Sequence, residues 1–187
     1  QSTYTHFPYL RKIWKDNTEQ ERLLGVSLTG ILDNLLTSSP SSDLLETLKE
    51  VAVSTNKEWA EILGIPQATA VTCVKPSGTV SQLVDSASGI HARHSEYYIR
   101  TVRGDNKDPL TQYMKDAGFV YEPCVMKPDT TTIFSFPQKA PEGAITRNQM
   151  SALEQLELWL MYQRHWCEHK PSVTITVRDY EWLEVGA

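Results

Sequence analysis

Apolar residues cluster along the chain in a few dense blocks separated by polar breaks. Leu23, Leu24, Val26, Leu28, Ile31, Leu32, Leu35 and Leu36 cover more than one helical stripe. A helix that is apolar on several sides is a buried one. Asn17 or Thr18 fits as its cap, with Glu19 and Glu21 in the first turn, and Gly25 and Gly30 imply close packing against a neighbour. The residues before it, Gln1 to Lys15, are aromatic-rich without a period and read as a packed irregular segment. After the break Thr37–Ser42, Leu44, Leu45, Leu48, Val51, Ala52, Trp59 and Ile62 recur at helical spacing. Ser42 or Asp43 fits as the cap, and Gly64 and Pro66 as the stop.

The period then shortens to two. Thr69 to Val74 reads as a strand, as do Glu96 to Arg103, Phe119 to Tyr121, Thr130 to Phe136 and Ser172 to Val177. A short helix over Leu110–Ala117 opens at Asp108-Pro109 and closes at Gly118. A longer helix carries Met150, Leu153, Leu156, Leu160 and Met161, with Asn148 or Thr146 as its cap. Helices and strands alternate in this way in α/β proteins.

One junction stands out. The strand ending at Val74 runs into Lys75-Pro76-Ser77-Gly78-Thr79-Val80-Ser81-Gln82, and Val80 to Val84 reads as the start of a helix. The first amides of a helix lack partners within it, its dipole favours an anion there, and Gly78 lets a ligand approach the backbone. Strand, small-residue turn and helix start thus make a phosphate site. The same residues also fit an ordinary turn in which Thr79 and Gln82 form a capping box over those amides. The spacing is not that of a Walker loop.

Composition narrows the partners. The chain has 187 residues, 40% hydrophobic and 22% charged, with a net charge of −5 and a pI near 5.5. That balance disfavours nonspecific binding to polymeric nucleic acid or anionic membranes, but not one small anion held by amides. No apolar run has transmembrane length and no signal peptide is visible. Cys73, Cys124 and Cys167 are odd in number and widely spaced, which fits a reduced, cytoplasmic setting rather than a disulfide framework. Both ends read as cut from something longer. His165, Cys167 and His169 lie close in sequence, but Cys167 is off the face the two histidines would share and a fourth ligand is not evident, so no metal is expected. His91, Arg93 and His94 follow the small-residue loop 85–89, either as a solvated loop or as accessory cations for an anion.

Several stretches taken together resemble ribonucleotide reductase, most closely the adenosylcobalamin-dependent (class II) kind. They are Thr72 to Gln82, Gly89-Ile90-His91-Ala92-Arg93-His94, Tyr97-Tyr98-Ile99-Arg100, Arg22 to Gly30, and Glu168-His169-Lys170-Pro171-Ser172-Val173-Thr174. The resemblance implies a ten-stranded α/β barrel built of two halves. Residues 1–187 would form one domain fragment, the C-terminal half-barrel. It implies thiyl-radical reduction of ribonucleoside di- or triphosphates to deoxyribonucleotides, with adenosylcobalamin as cofactor and a thiol system as reductant. By that likeness Pro76, Ser77, Gly78, Thr79, Val80 and Ser81 hold the substrate phosphates, and His91 and Arg93 are accessory anion-binding candidates. The family's radical-cysteine motif, Cys-x-Glu, has no match here, so no catalytic residue is expected in this chain and the cobalamin site is not complete within it. The fragment alone should be inactive, and its open strand edges invite self-association. The competing reading is a non-catalytic module that binds a phosphate ligand.

Overall fold

The computed structural model describes residues 1–187. In chain order the elements are α1 (Lys12–Glu21), β1 (Val26–Ser27), a 3-10 turn (Ile31–Asp33), α2 (Leu35–Ser38), α3 (Ser42–Leu63), β2 (Thr72–Cys73) and α4 (Val80–Leu83). Then follow β3 (Tyr97–Asp105), α5 (Pro109–Asp116), β4 (Tyr121–Pro123), β5 (Thr131–Lys139), α6 (Ala152–His165), a second 3-10 turn (Asp179–Glu181) and α7 (Trp182–Val185). The chain has two compact units: residues 1–93 with 142–187, and residues 94–141. No helix is long and apolar enough to cross a membrane.

In the larger unit β1 and β2 pair in parallel, Val26 with Thr72 and Ser27 with Cys73. The apolar block 23–36 is therefore not the buried helix its composition suggests. α1 runs earlier, from Lys12, and stops at Arg22 in the left-handed region. Gly30 is also left-handed, at φ +68°, and breaks any helix through the block. Its apolar side chains split between two environments: Leu23, Leu35 and Leu36 are exposed, while the tight turn buries the middle of the block. Ile31 and Leu32 are fully buried with Leu45, Val74, Ile90, Leu158, Tyr162 and Trp166. A Cβ at Gly25 would sit in ordinary contact with Cys73 Sγ, at 3.8 Å, whereas one at Gly30 would stand 3.1 Å from Ser86 Cβ, the tighter approach of the two.

α3 begins one residue before the expected range, with Ser41 Oγ accepting from the Leu44 amide, and ends at left-handed Gly64. α6 is capped at Ser151 rather than Thr146 or Asn148. Ser151 and Glu154 form a reciprocal capping box, which satisfies two orphan donors at once. Thr146 instead engages Gln149 through its amide and hydroxyl. Residues 172–177 form no strand despite their β propensity. That propensity reflects packing beside a partner strand, and none lies alongside.

The C-terminal end of α6 seals the far side of β2. The Trp166 indole donates to the Cys73 carbonyl at 2.8 Å, and the Glu168 amide to the Thr72 carbonyl at 2.9 Å. The Glu168 carboxylate accepts the amides of Val71 at 2.7 Å and Thr72 at 3.1 Å. The Tyr162 hydroxyl reaches the Thr37 carbonyl at 2.8 Å.

The smaller unit is an antiparallel sheet of order β3-β5-β4, with α5 lying on β3. α5 keeps its expected start, Asp108 capping the Leu110 amide, with Pro109 next. At Gly104 a Cβ would meet Thr111 Oγ1 at 2.5 Å, so the glycine lets helix and strand touch. β5 continues through Pro137, where the sequence suggests a boundary. The Ser135 amide points to β4 and bonds the Val120 carbonyl, so residue 137 faces the same side, beyond the last paired residue of β4. A missing N–H costs nothing there.

Burial works against ionisation of Glu168, but the Val71 and Thr72 amides and the Lys49 charge outweigh it. They hold the carboxyl below its ordinary 4.5. A depressed carboxyl stabilises the fold above its unfolded value, and the gain disappears as pH falls through its folded value. Glu168→Gln should therefore lower stability at pH 7 in urea unfolding, and the deficit should be smaller at pH 3. A deficit of equal size at both pH values would contradict this.

Candidate phosphate-binding turn

The candidate turn leaves β2 at Val74, which is buried, and reaches the surface at Lys75 and Pro76. Its interior is set by serines. The Ser77 hydroxyl accepts from the Ser81 amide at 3.0 Å, and the buried Ser81 hydroxyl donates to the Ser77 carbonyl. The Gly78 amide bonds the Pro76 carbonyl at 3.0 Å. The amides of Thr79 and Val80 carry no hydrogen bond within the chain. Pro76, Gly78, Thr79 and Val80 are exposed. A Cβ at Gly78 would meet nothing within 4 Å, so the space over the turn is open.

Two sequence expectations change here. The Thr79–Gln82 capping box does not form, since Thr79 makes no side-chain cap. Only the backbone bond from Gln82 to the Thr79 carbonyl is present, at 3.0 Å. The helix is one turn long, so its dipole is small. What the turn offers an anion is two free amides and an open glycine, with the Thr79 hydroxyl beside them.

Behind the turn lies a polar cluster centred on Arg93, which is 4% exposed. Its Nε meets Asp33 Oδ1 at 2.9 Å and its Nη2 meets Asp33 Oδ2 at 3.0 Å. Nη2 also donates to the Asp85 carbonyl at 2.7 Å. Asp85 is left-handed, at φ +47°, a conformation that Asp tolerates better than most residues. Asp33 Oδ2 further accepts the Ala87 amide at 2.7 Å. Arg93 is thus committed to Asp33 and the 85–87 backbone. His91 is likewise engaged. Its Nδ1 lies 2.9 Å from the Ser88 carbonyl, and its Nε2 accepts the Thr174 amide at 3.0 Å. These bonds assign the neutral tautomer protonated at Nδ1.

Asp33 was not legible as a functional residue. A lone acid at the end of an apolar block is a weak signal, and only the fold brings it to Arg93, 60 positions on. Thr29 and Gly89 lie in stretches that carry the family likeness, but nothing in the sequence pairs them. The Thr29 hydroxyl donates to the Ala87 carbonyl at 2.9 Å and accepts the Gly89 amide at 3.0 Å.

The remaining polar candidates do not converge on a site. His165 Nδ1 pairs with Glu46 at 2.6 Å. α6 ends at His165, so His169 does not share its face, and no group of histidine, cysteine or carboxylate side chains is arranged to hold a metal. Burial raises the Cys73 thiol against the pull of Lys75 and the Ser27 hydroxyl. Burial, with Cys73 nearby, pushes Cys167 up to about 12. Cys124 goes the other way, lowered by the Met126 and Lys127 amides and by Arg103.

A corrinoid does not fit. The cavity lined by Pro40, Ile145, Met150 and Leu158 is about 380 Å³, a size for a drug-sized ligand, and carboxylates Glu154 and Glu157 are part of its wall. No step is assigned to such a group on these residues.

No family profile matches the chain. Individual relatives do. It is 33% identical to an adenosylcobalamin-dependent ribonucleoside-triphosphate reductase of Euglena gracilis, over 87% of this chain and 23% of that one. The enzyme of the same name from Lactobacillus delbrueckii subsp. bulgaricus is 29% identical over 97% of this chain and 29% of its own. The crystal structure of a B-12 dependent (class II) ribonucleotide reductase superposes with a TM-score of 0.76 at 25% identity, covering 93% of this chain and 28% of that one. The chain therefore spans about a quarter of the length of the curated relatives it matches.

Two predictions follow from the cluster and the thiols. Arg93→Ala leaves Asp33 buried without its counter-charge and should cost about 3–5 kcal/mol in urea unfolding; a loss under about 1 kcal/mol would contradict the pairing. All three thiols are buried, so their order of reaction is set by thiolate character rather than access: iodoacetamide at pH 8 should label Cys124 before Cys73 and Cys167, read by peptide mass, and the reverse order would refute the thiol assignments.

The structural likeness and the curated relatives agree in kind and cover nearly all of this sequence, which is similar throughout to one segment of the adenosylcobalamin-dependent ribonucleotide reductases.

Proposed function

We propose that the chain is a segment of an adenosylcobalamin-dependent ribonucleotide reductase, the C-terminal half of its α/β barrel, and that its task is to anchor the substrate's phosphates. The observation that carries this is the pair of unpartnered amides at Thr79 and Val80 beside the open Gly78, at the end of a buried strand. Backbone amides bind phosphate without a cation, which suits a chain of net charge −5. The relatives' name points to ribonucleoside triphosphates as the substrate class. Ser77 and Ser81 brace the turn, while Pro76 to Val80 face the ligand. Arg93 and His91 serve the architecture and not the anion.

The chemistry replaces the ribose 2′-hydroxyl with hydrogen. Water leaves, and a pair of thiols supplied by the reductant is oxidised to a disulfide. The radical cysteine and the cobalamin site belong to the rest of the polypeptide, so the 187-residue chain alone should show no turnover. Exposed apolar side chains in the larger unit support a covering partner: Leu35 is 81% exposed, Leu83 86% and Leu183 90%. β1 and β2 also form a sheet of only two strands, although parallel strands are ordinarily flanked by others. The upstream half of the same polypeptide is the proposed partner, and isolated copies should self-associate through these edges.

Gly78 separates binding from folding, because its Cβ position is open and its φ is not positive. In the complete reductase, Gly78→Val should leave the melting temperature unchanged and raise KM for the nucleotide about tenfold or more. An unchanged KM would overturn the assignment of the turn.

A further inference from the structure

The turn that presents Thr79 and Val80 is tied to the 85–89 loop at its end, where the Ser81 carbonyl accepts the Ser86 amide at 2.8 Å. Its serines also bond within the turn, and α4 is a single helical turn. Its start is set from outside by two contacts at Lys75. The Lys75 amide donates to the Ser27 hydroxyl at 3.0 Å. On the other side Gly89 presses on the Lys75 carbonyl, where a Cβ would stand 2.5 Å from the oxygen. Gly89 is left-handed at φ +56°, so both its conformation and the contact exclude a side chain.

Gly89 is in turn fixed by three side chains from elsewhere in the chain. Thr29 accepts its amide and donates to the Ala87 carbonyl. Asp33 accepts the Ala87 amide. Arg93 clamps Asp33 with two bonds and holds the Asp85 carbonyl with a third. The Ile31 amide adds a bond to the Gly89 carbonyl at 3.2 Å. The segment 85–89 is thus pinned at each end and in the middle, and its glycine bears on the residue from which the turn departs.

We propose that Thr29, Asp33 and Arg93 are positioning residues for the substrate phosphates, acting through Gly89 on the 75–81 turn. The inference rests on the reading of that turn as the phosphate anchor. None of the three touches the ligand. They set where the Thr79 and Val80 amides point, and therefore how tightly a nucleotide is held, without taking part in the radical step. A small displacement of an anchoring group is enough to weaken a bound substrate.

The test compares steady-state kinetics of the complete reductase carrying this chain, with ATP as the probe substrate. Asp33→Asn removes the charge that Arg93 clamps, and this variant risks misfolding. Thr29→Val is the gentler change: it keeps the shape and deletes both hydroxyl bonds. Thr29→Ser restores them, and Gly78→Val reports on the turn itself. The expected result is a KM raised roughly tenfold by Thr29→Val with kcat held within about twofold, and recovery of KM in Thr29→Ser. A KM raised by Gly78→Val but not by Thr29→Val overturns the positioning role and leaves the turn in place. A KM unmoved by either variant overturns both. A fall in kcat at constant KM for Thr29→Val also overturns the proposal, since it would place Thr29 in the chemistry.

Discussion

The Asp33–Arg93 pair is the contact on which the candidate site depends. Both groups are withdrawn from water, with side-chain exposures of 11% and 3%, so neither tolerates loss of the other. Their geometry is bidentate, which fixes orientation as well as distance. Each member also reaches the backbone of the 85–87 loop, Asp33 at the Ala87 amide and Arg93 at the Asp85 carbonyl. One pair thereby joins the 3-10 turn after β1 to the loop after α4. A buried ion pair is weak ground for net stability, but it is a good means of selecting one arrangement of loops, and the arrangement selected here is the one that puts Gly89 against Lys75.

Around that pair the larger unit is built to hold β2 still. β1 bonds one edge and the end of α6 seals the other through Trp166 and Glu168. Val74, the last residue before the turn, belongs to the same buried cluster as Ile31, Leu32, Ile90 and Tyr162. The turn therefore starts from a rigid base while its tip remains open to solvent. Rigid support beneath an exposed loop with free amides is the arrangement that a recognition site requires.

Much of this was legible in the sequence where the signal is local. The stop of α3, the Asp108-Pro109 start of α5 and the small-residue turn all rest on residues adjacent in the chain. The likeness of Thr72 to Gln82 and Gly89 to His94 to the reductases pointed to the family that the relatives and the fold then supported. What was not legible depends on distant partners. The block 23–36 has the composition of a buried helix, and only the pairing with β2 and the left-handed Gly30 make it a strand and turn. Arg93 reads as a free cation until Asp33 is brought to it. Residues 172–177 have the propensity of a strand and no neighbour to pair with. His91 and Arg93 lie in a stretch that resembles the family's, and their contacts here include Ser88, Thr174, Asp33 and Asp85.

The most direct measurement is an experimental structure of the complete reductase with a ribonucleoside triphosphate bound. The account predicts phosphate oxygens about 3 Å from the Thr79 and Val80 nitrogens, with the Asp33–Arg93 pair closed behind them. Phosphates bound elsewhere, or an Arg93 that has left Asp33 to meet them, would contradict it.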